Sequence, residues 1–398
     1  MKKALIFSFL WGTLFANPAN PQVVSGEVYF NSQGRALEVI ASDRAIIEWG
    51  LFNIQEEETT RFIQPNRLAS VLNRVLDANP SKILGRLESN GQVVLINPNG
   101  ILVGMRGVID TGSLIASTLD LQNSSYLSRG SMVFDRPSKR PIVQMGDIIG
   151  RKGDVILIAH SVENEGEIRA VDGIAALVAG GSVVKTAPGN GEMSRLFVSQ
   201  GAVYKPFEER GFLEGFEREV LAVPFYTKEG ILPRVAHKLG GVISSVRSDG
   251  FGGEVSLIGT DVWVLNSAQV DASGAKGGGI VRVGGGFGAA EPGILNSQKV
   301  FLGPNAQIKA DGNGGKVVLY GTCVNQFLGS ISARGERGFI EVAGAMHFFP
   351  QGTVDAETIR IDYSKASAIP SVEGLLKPFY TVPPFVPPVQ LPEPVLLR

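Results

Sequence analysis

Cysteine is almost absent. A single residue, Cys323, stands in 398, so no disulfide can form within the chain. Histidine is nearly as scarce: His160, His237 and His347 are far apart, with no H-E-x-x-H or C-x-x-C companion and no G-G-x-G-x-D repeat. No spacing favours a metal site, and no cofactor is expected. Charge is sparse and balanced, 37 Lys and Arg against 38 Asp and Glu for a net charge of −1. That gives no electrostatic footprint for nucleic acid. Gly284-Gly285-Gly286-Phe287-Gly288 is glycine-rich but has no Lys-Ser/Thr after it and no helix signal, which argues against a phosphate loop.

Glycine, by contrast, is abundant, with 50 residues, well above its usual share of about 7%. The glycines punctuate short apolar alternations, the pattern of many short strands joined by tight turns. At the N-terminus Lys2 and Lys3 precede an apolar run over residues 4–16 and then Asn17-Pro18. This reads as a signal peptide cleaved after Ala16, too short to span a membrane as an anchor. Leu14 at the −3 position departs from the small-residue preference of such sites. Export by the general secretion machinery is therefore expected, and the scarcity of cysteine is compatible with a second membrane crossing in an unfolded state.

Residues 94–104 form an apolar run interrupted by Asn97-Pro98-Asn99-Gly100. The chemistry is that of a type I turn between two strands. Asn97 accepts from the backbone two residues on, Pro98 presets φ, Asn99 suits the third position and Gly100 the fourth. Upstream, Val28, Phe30, Val39, Ala41, Ala45, Ile47, Trp49 and Ile54 mark further short strands. Leu68, Val71, Leu72, Val75 and Leu76 recur at helical spacing instead, which predicts a short helix there.

Several of these residues stand in an ordered series: residues 49–54 with Trp49 and Phe52, 60–65, 71–75 with Asn73 and Arg74, 81–85 ending in Gly85, Asn90-Gly91, 96–101 with Asn97, Pro98, Asn99, Gly100 and Ile101, and 110–118. The series resembles that of filamentous-haemagglutinin-type two-partner secretion domains over roughly residues 21–125. An N-P-N-L-type motif found in part of that family is absent. The resemblance implies a β-helical secretion domain recognised in the periplasm by the POTRA domains of a cognate outer-membrane β-barrel transporter. It also implies an exoprotein of the kind that acts as adhesin or cytolysin. The five residues Asn97 to Ile101 are then either a transporter-recognition motif or a structural turn.

Beyond a polar, aromatic-poor connection over residues 122–141 the chain becomes repetitive. An apolar residue, a small residue and glycine lead into a short alternating strand, with anchors Val246, Val270, Ile308 and Ile331 spaced by 24, 38 and 23 residues. A coil of about 20–25 residues suits a solenoid. Alternation places Val255 and Leu257, Val281 and Val283, Val317 and Leu319, and Ile340 and Val342 on one side. The expected fold is all-β: a right-handed parallel β-helix with N-terminal capping strands and extrahelical hairpins. A propeller is the architectural rival.

The expected order is a signal peptide at 1–16, a secretion domain at 17–125 and β-helix repeats at 126–369. An aromatic-rich excursion interrupts the repeats at about 192–238, as a lid over apolar surface or as a binding or transporter-contact surface. A proline-rich tail follows at 370–398, read equally as spacer, partner ligand or last exported portion. Asp271, Asp311 and Asp355 precede small residues, and suit Asx corners or the aligned carboxylates of a carbohydrate-cleaving β-helix. The reading that joins these features is a non-enzymatic exoprotein, secreted or at the bacterial cell surface. Its β-helix would act in adhesion to a host receptor or glycan. A secreted carbohydrate-active enzyme and a structural surface coat are the alternatives.

Overall fold

A computed structural model describes residues 17–136, 138–186, 196–199, 237–265, 267–344, 347–350 and 352–362. The expected signal peptide, most of the excursion and the proline-rich tail lie outside the described residues. The rest is wound from short strands that pair with the strand one coil before and one coil after, almost always in parallel. Three ladders result. Face A begins at Ala36–Ala41, face B at Ala45–Leu51 and face C at Ser81–Ile83. The chain visits A, B and C in turn before starting the next coil, which makes a right-handed parallel β-helix and excludes a propeller.

The register explains why the sequence alternates. On face B one interior row runs from Ala45 and Val71 through Val93, Leu114, Val155, Ala175, Val255, Val281 and Val317 to Ile340, with Ile359 in the same register but exposed in the last described strand. Leu257, Val283, Leu319 and Val342 fall in the row beside it. Both columns expected from alternation are thus present. Each fully buried Val, Leu or Ile contributes about 1.5–3 kcal/mol relative to exposure, so the column binds coil to coil. On face A the partner of Val270 is Ile243, not Val246. The repeat anchor in that coil therefore lies three residues earlier than expected, because residues 247–253 form a longer corner loop before the next strand.

Antiparallel strands close the N-terminal end. Ala19–Ser25 pairs with Ala45–Leu51 and Val28–Gln33 with Ala36–Ala41, covering edges that a parallel coil would leave open. Residues 68–76 do not form the expected helix. Ser70–Val75 is a face B strand with Val71, Leu72 and Val75 buried, while Leu68 and Leu76 are exposed beyond its ends. Face B is buried on both sides, so apolar residues stand at adjacent positions and imitate helical spacing.

The cover on the outer side of face B is built from excursions. They leave between Ser113–Ser117 and Ile142–Gln144, between Ile174–Ala179 and His237–Leu239, and between Ile280–Val283 and Ser297–Leu302. All three depart from the corner between faces B and C. Strands Asp120–Leu121, Met132–Arg136, Ser182–Lys185 and Leu196–Ser199 make an antiparallel sheet there. Leu121, Tyr126, Phe134 and Val183 pack against the outward row Ile46, Leu72, Val94, Ile115 and Ile156 as a second core. Residues 122–141 are therefore more than a connection: Tyr126 and Phe134, few as the aromatics are, are fully buried. Of the expected 192–238 excursion, Leu196–Ser199 belongs to this sheet, while His237 and Lys238 belong instead to a face C strand, so the coil resumes two residues earlier than expected.

Candidate functional site

The Asn97-Pro98-Asn99-Gly100 turn sits at the B–C corner, between Gln92–Ile96 on face B and Ile101–Val103 on face C. The two strands do not pair with each other. Each pairs in parallel with neighbours above and below, so the turn bends the coil rather than closing a hairpin. Gly100 donates its N–H to the Asn97 carbonyl at 3.1 Å and has φ of 114°, a conformation open to glycine at little cost. Asn97 Oδ1 accepts from the Asn99 N–H at 2.9 Å, the Asx bond expected from the sequence.

Asn97 is fully buried. Its Nδ2 donates to the Asn79 carbonyl at 3.1 Å and to Ser81 Oγ at 3.0 Å, and its backbone N–H to the Ser117 carbonyl at 3.0 Å. The side chain therefore bonds to its own turn and to the coil before, and its backbone to the coil after. Asn99 Nδ2 donates to the Asp77 carbonyl at 2.7 Å, which fastens the turn to the preceding corner. Pro98 is exposed, and its carbonyl accepts from Ser138 Oγ at 2.6 Å. Ile101 is buried, in register with Ser81 and Ile142. Every polar atom of the Asn97 side chain is committed within the fold.

The other motif residues occupy other corners and the interior. Trp49 is buried and donates Nε1–H to Asn73 Oδ1 at 2.9 Å, with Phe52 and Phe30 edge-on to its ring at 5.6 and 5.7 Å. Arg74 points outward from the same strand as Asn73. Its guanidinium donates to Asp120 Oδ1 at 3.0 Å, Asn123 Oδ1 at 2.9 Å and the Leu121 carbonyl at 2.9 Å, with Glu48 at 3.3 Å. Gly85 lies at the C–A corner, where a Cβ would stand 2.1 Å from the Gln55 carbonyl oxygen. At the A–B corner Asn90 accepts from the Gln64 N–H at 2.8 Å and donates to the Gln64 carbonyl at 2.7 Å. A Cβ on the adjacent Gly91 would meet the Ala69 carbonyl oxygen at 2.6 Å. The structure thus distributes the motif over three corners and two cores.

Tyr126 is a key residue that the sequence pattern did not single out. It donates its hydroxyl to Ser70 Oγ at 2.9 Å, and burial pushes its phenol well above the usual range. Arg44 donates to the Tyr126 carbonyl at 2.8 Å and lies over its ring at 4.9 Å. The available signal was a lone Tyr in a polar stretch. Asp271 accepts from the Ser273 N–H at 2.8 Å and Asp311 from the Arg334 N–H at 2.9 Å, while Asp355 accepts from Arg334 Nε at 2.7 Å. These carboxylates cap corners and stitch coils. Among the described residues no three His, Cys, Asp or Glu side chains are grouped to hold a metal ion.

Residues 16–206 match the family model of the TPS secretion domain, extending beyond the motif series. The chain is 37% identical over 105 residues to a heme/hemopexin-binding protein of Haemophilus influenzae, covering 26% of this chain and 11% of that protein. It is 32% identical over 163 residues to the heme/hemopexin-binding protein of H. influenzae strain Rd, covering 39% and 18%. The chain thus matches less than a fifth of the length of these curated relatives. Among solved structures, the HMW1 secretion domain of H. influenzae superposes with a TM-score of 0.57 at 27% identity, over 87% of this chain and 100% of that one. On the family match and the coil shared with that secretion domain, residues 16–206 of the chain carry a TPS secretion domain.

Proposed function

We propose that residues 17–206 address this chain to a partner outer-membrane transporter with POTRA domains, after export through the inner membrane by the signal peptide at 1–16. TPS-domain proteins are secreted through the outer membrane, and the match over residues 16–206 carries the reading. In this proposal Asn97 and Asn99 act by holding the B–C corner. The hydrogen bonds that occupy Asn97 support that role over direct contact with a folded-state partner. The test is surface delivery in cells with and without the transporter, for the wild type, Asn97→Ala and Asn99→Ala. Delivery requires the transporter, and the asparagine variants lose export in proportion to lost stability. Undiminished delivery without a transporter overturns the proposal.

The β-helix beyond the secretion domain is read as a non-enzymatic adhesive surface toward a host receptor or glycan. The commitment of Asp271, Asp311 and Asp355 to corners and coil ties supports this over the carbohydrate-cleaving alternative. Adherence of cells that display the wild-type chain, against cells lacking it, tests the adhesive part separately from export.

A further inference from the structure

Corners between faces A and B vary in the first coils: residues 64–69 form a loop between Thr59–Ile63 and Ser70–Val75, whereas two later ones are minimal. Asn90-Gly91 alone separates Arg86–Ser89 from Gln92–Ile96, and Gly112 alone separates Val108–Thr111 from Ser113–Ser117. Past residue 206, where the family match ends, the same corner widens into loops of residues 247–253, 272–279 and 310–315. These stacked loops enclose an open groove of about 430 Å³. Its floor is the backbone of Gly252, Gly253, Gly278, Gly279 and Gly314, and its walls carry Phe251, Arg247, Asp249 and Lys316.

The groove is held by the backbone around it. Gly252 donates to the Gly277 carbonyl at 2.8 Å, Lys276 to the Gly250 carbonyl at 2.9 Å, and Gly278 to the Asn313 carbonyl at 3.1 Å. Asp249 accepts from Arg247 at 2.6 Å and from the Phe251 N–H at 3.1 Å, so the loop that presents Phe251 is fixed at both charged residues. These contacts hold its carboxyl below the usual range, Arg247 first. Behind the loop, Asp172 accepts from the Ser248 N–H at 2.6 Å and bridges to Lys152 at 3.1 Å.

The Arg247–Asp249 pair cancels its own charge. Lys316 is exposed on the wall, and the Lys276 stem lies against Gly250 with the residue exposed beside it. Among the described residues neither lysine forms an ion pair. The groove therefore offers an apolar CH floor, a phenyl ring exposed at 43% and the uncompensated cation of Lys316, with a second, Lys276, on the adjoining loop beside Gly250. A sugar ring presents a CH face to such a floor and hydroxyls to the charged rim, and a carboxylate or sulfate on it answers the cations. The volume lies within the range of small-ligand sites, and a wall fixed before binding lowers the ordering cost.

We propose that this groove is a binding subsite for an acidic saccharide. The proposal rests on the adhesive reading above and gives it a place and a ligand class. Phe251 stacks on the sugar ring, while Lys276 and Lys316 receive the acid group. The test titrates the purified full chain with hyaluronan tetrasaccharide, chondroitin-sulfate tetrasaccharide and sialyllactose, against neutral chitotetraose, by calorimetry and by amide shifts of residues 247–253 and 276–279.

The expected result is saturable binding of at least one acidic probe at about millimolar or lower concentration. Binding should weaken at about 0.5 M salt, and fall about tenfold in Lys276→Ala/Lys316→Ala and in Phe251→Ala. Thermal unfolding of these surface variants should match the wild type. Failure of all three acidic probes, equal binding of chitotetraose, or unchanged affinity in the lysine pair variant overturns the proposal. Adherence of cells carrying the lysine pair variant separates the two readings. Retained adherence without saccharide binding sinks the groove and leaves adhesion standing, whereas saccharide binding by a chain that confers no adherence sinks adhesion alone.

Discussion

Replacing Asn97 with alanine removes a side chain that makes three hydrogen bonds at a site with no solvent exposure. Each such bond contributes about 1 kcal/mol net, and a buried partner left alone costs about 1–3 kcal/mol. The Asn79 carbonyl and Asn99 N–H lie near the surface and regain water, while Ser81 is buried and its hydroxyl loses a donor. The expected loss is about 3 kcal/mol. Asn99→Ala removes one bond from a half-buried side chain, to the Asp77 carbonyl, and should cost about 1 kcal/mol. Urea unfolding of the purified chain, followed by tryptophan fluorescence, to which the buried Trp49 contributes, and by hydrogen exchange at the Ser81 N–H, measures both. That N–H donates to the Gly100 carbonyl at 3.0 Å and reports on the corner directly. If Asn97→Ala unfolds at the wild-type urea concentration while abolishing export, the reasoning fails and the asparagine acts by contact with the partner.

Further expectations concern burial and close approach. Burial raises the Asp261 carboxyl from 3.8 to about 6, with Lys299 opposing, so its stabilising contribution is full below about pH 4 and is lost as pH rises through about 6. Asp261→Asn should therefore stabilise the chain by about 2 kcal/mol at pH 7.5 and by nothing near pH 4, as read from urea midpoints across pH. Arg74→Met leaves Asp120 with Arg136 at 3.4 Å as its remaining ion pair and should cost about 3 kcal/mol. Exchange protection would fall in residues 120–134 before it falls in the face B interior. Gly85→Ala sets a Cβ against two backbone oxygens, of Gln55 and Glu58, and should cost more than about 2 kcal/mol. Gly130→Ala, whose nearest neighbour would be Ser128 Oγ at 3.6 Å, should stay within about 0.5 kcal/mol when both variants are compared with the wild type by thermal unfolding.

The interior of the solenoid was legible because alternation has one physical cause there. Val255 and Leu257, and their counterparts in later coils, face a column that excludes water, and the residues between them do not. The Asn97 turn was legible for the same local reason, since the two bonds that define it, from the Asn99 N–H to Asn97 Oδ1 and from the Gly100 N–H to the Asn97 carbonyl, lie within four residues, whereas its ties to Asn79, Ser81 and Ser117 left no mark in the sequence. What stayed hidden depends on contacts distant in sequence. Leu72 is buried by a sheet that arrives some fifty residues later, so its strand imitated a helix. Tyr126 and Phe134 looked like minor features of a polar connection because their partners Ser70 and the outward row of face B lie far upstream. The anchor at Ile243 was displaced because loop length at a corner carries no periodic mark.

The outer sheet changes how the solenoid holds together. In a simple stack each coil touches only its neighbours, and stability accumulates rung by rung. Here Tyr126, which follows Ser113–Ser117, bonds back to Ser70 and Arg44, while Asp120 and Leu121 fasten Arg74. Ser182–Lys185 then pairs with Met132–Arg136, and Leu196–Ser199 with Ser182–Lys185. Coils that do not touch through their ladders are coupled through this cover, so the N-terminal half melts as one block rather than fraying coil by coil. A chain emerging amino end first would form its early coils promptly, yet their full resistance to unfolding would wait for residues as late as Val198.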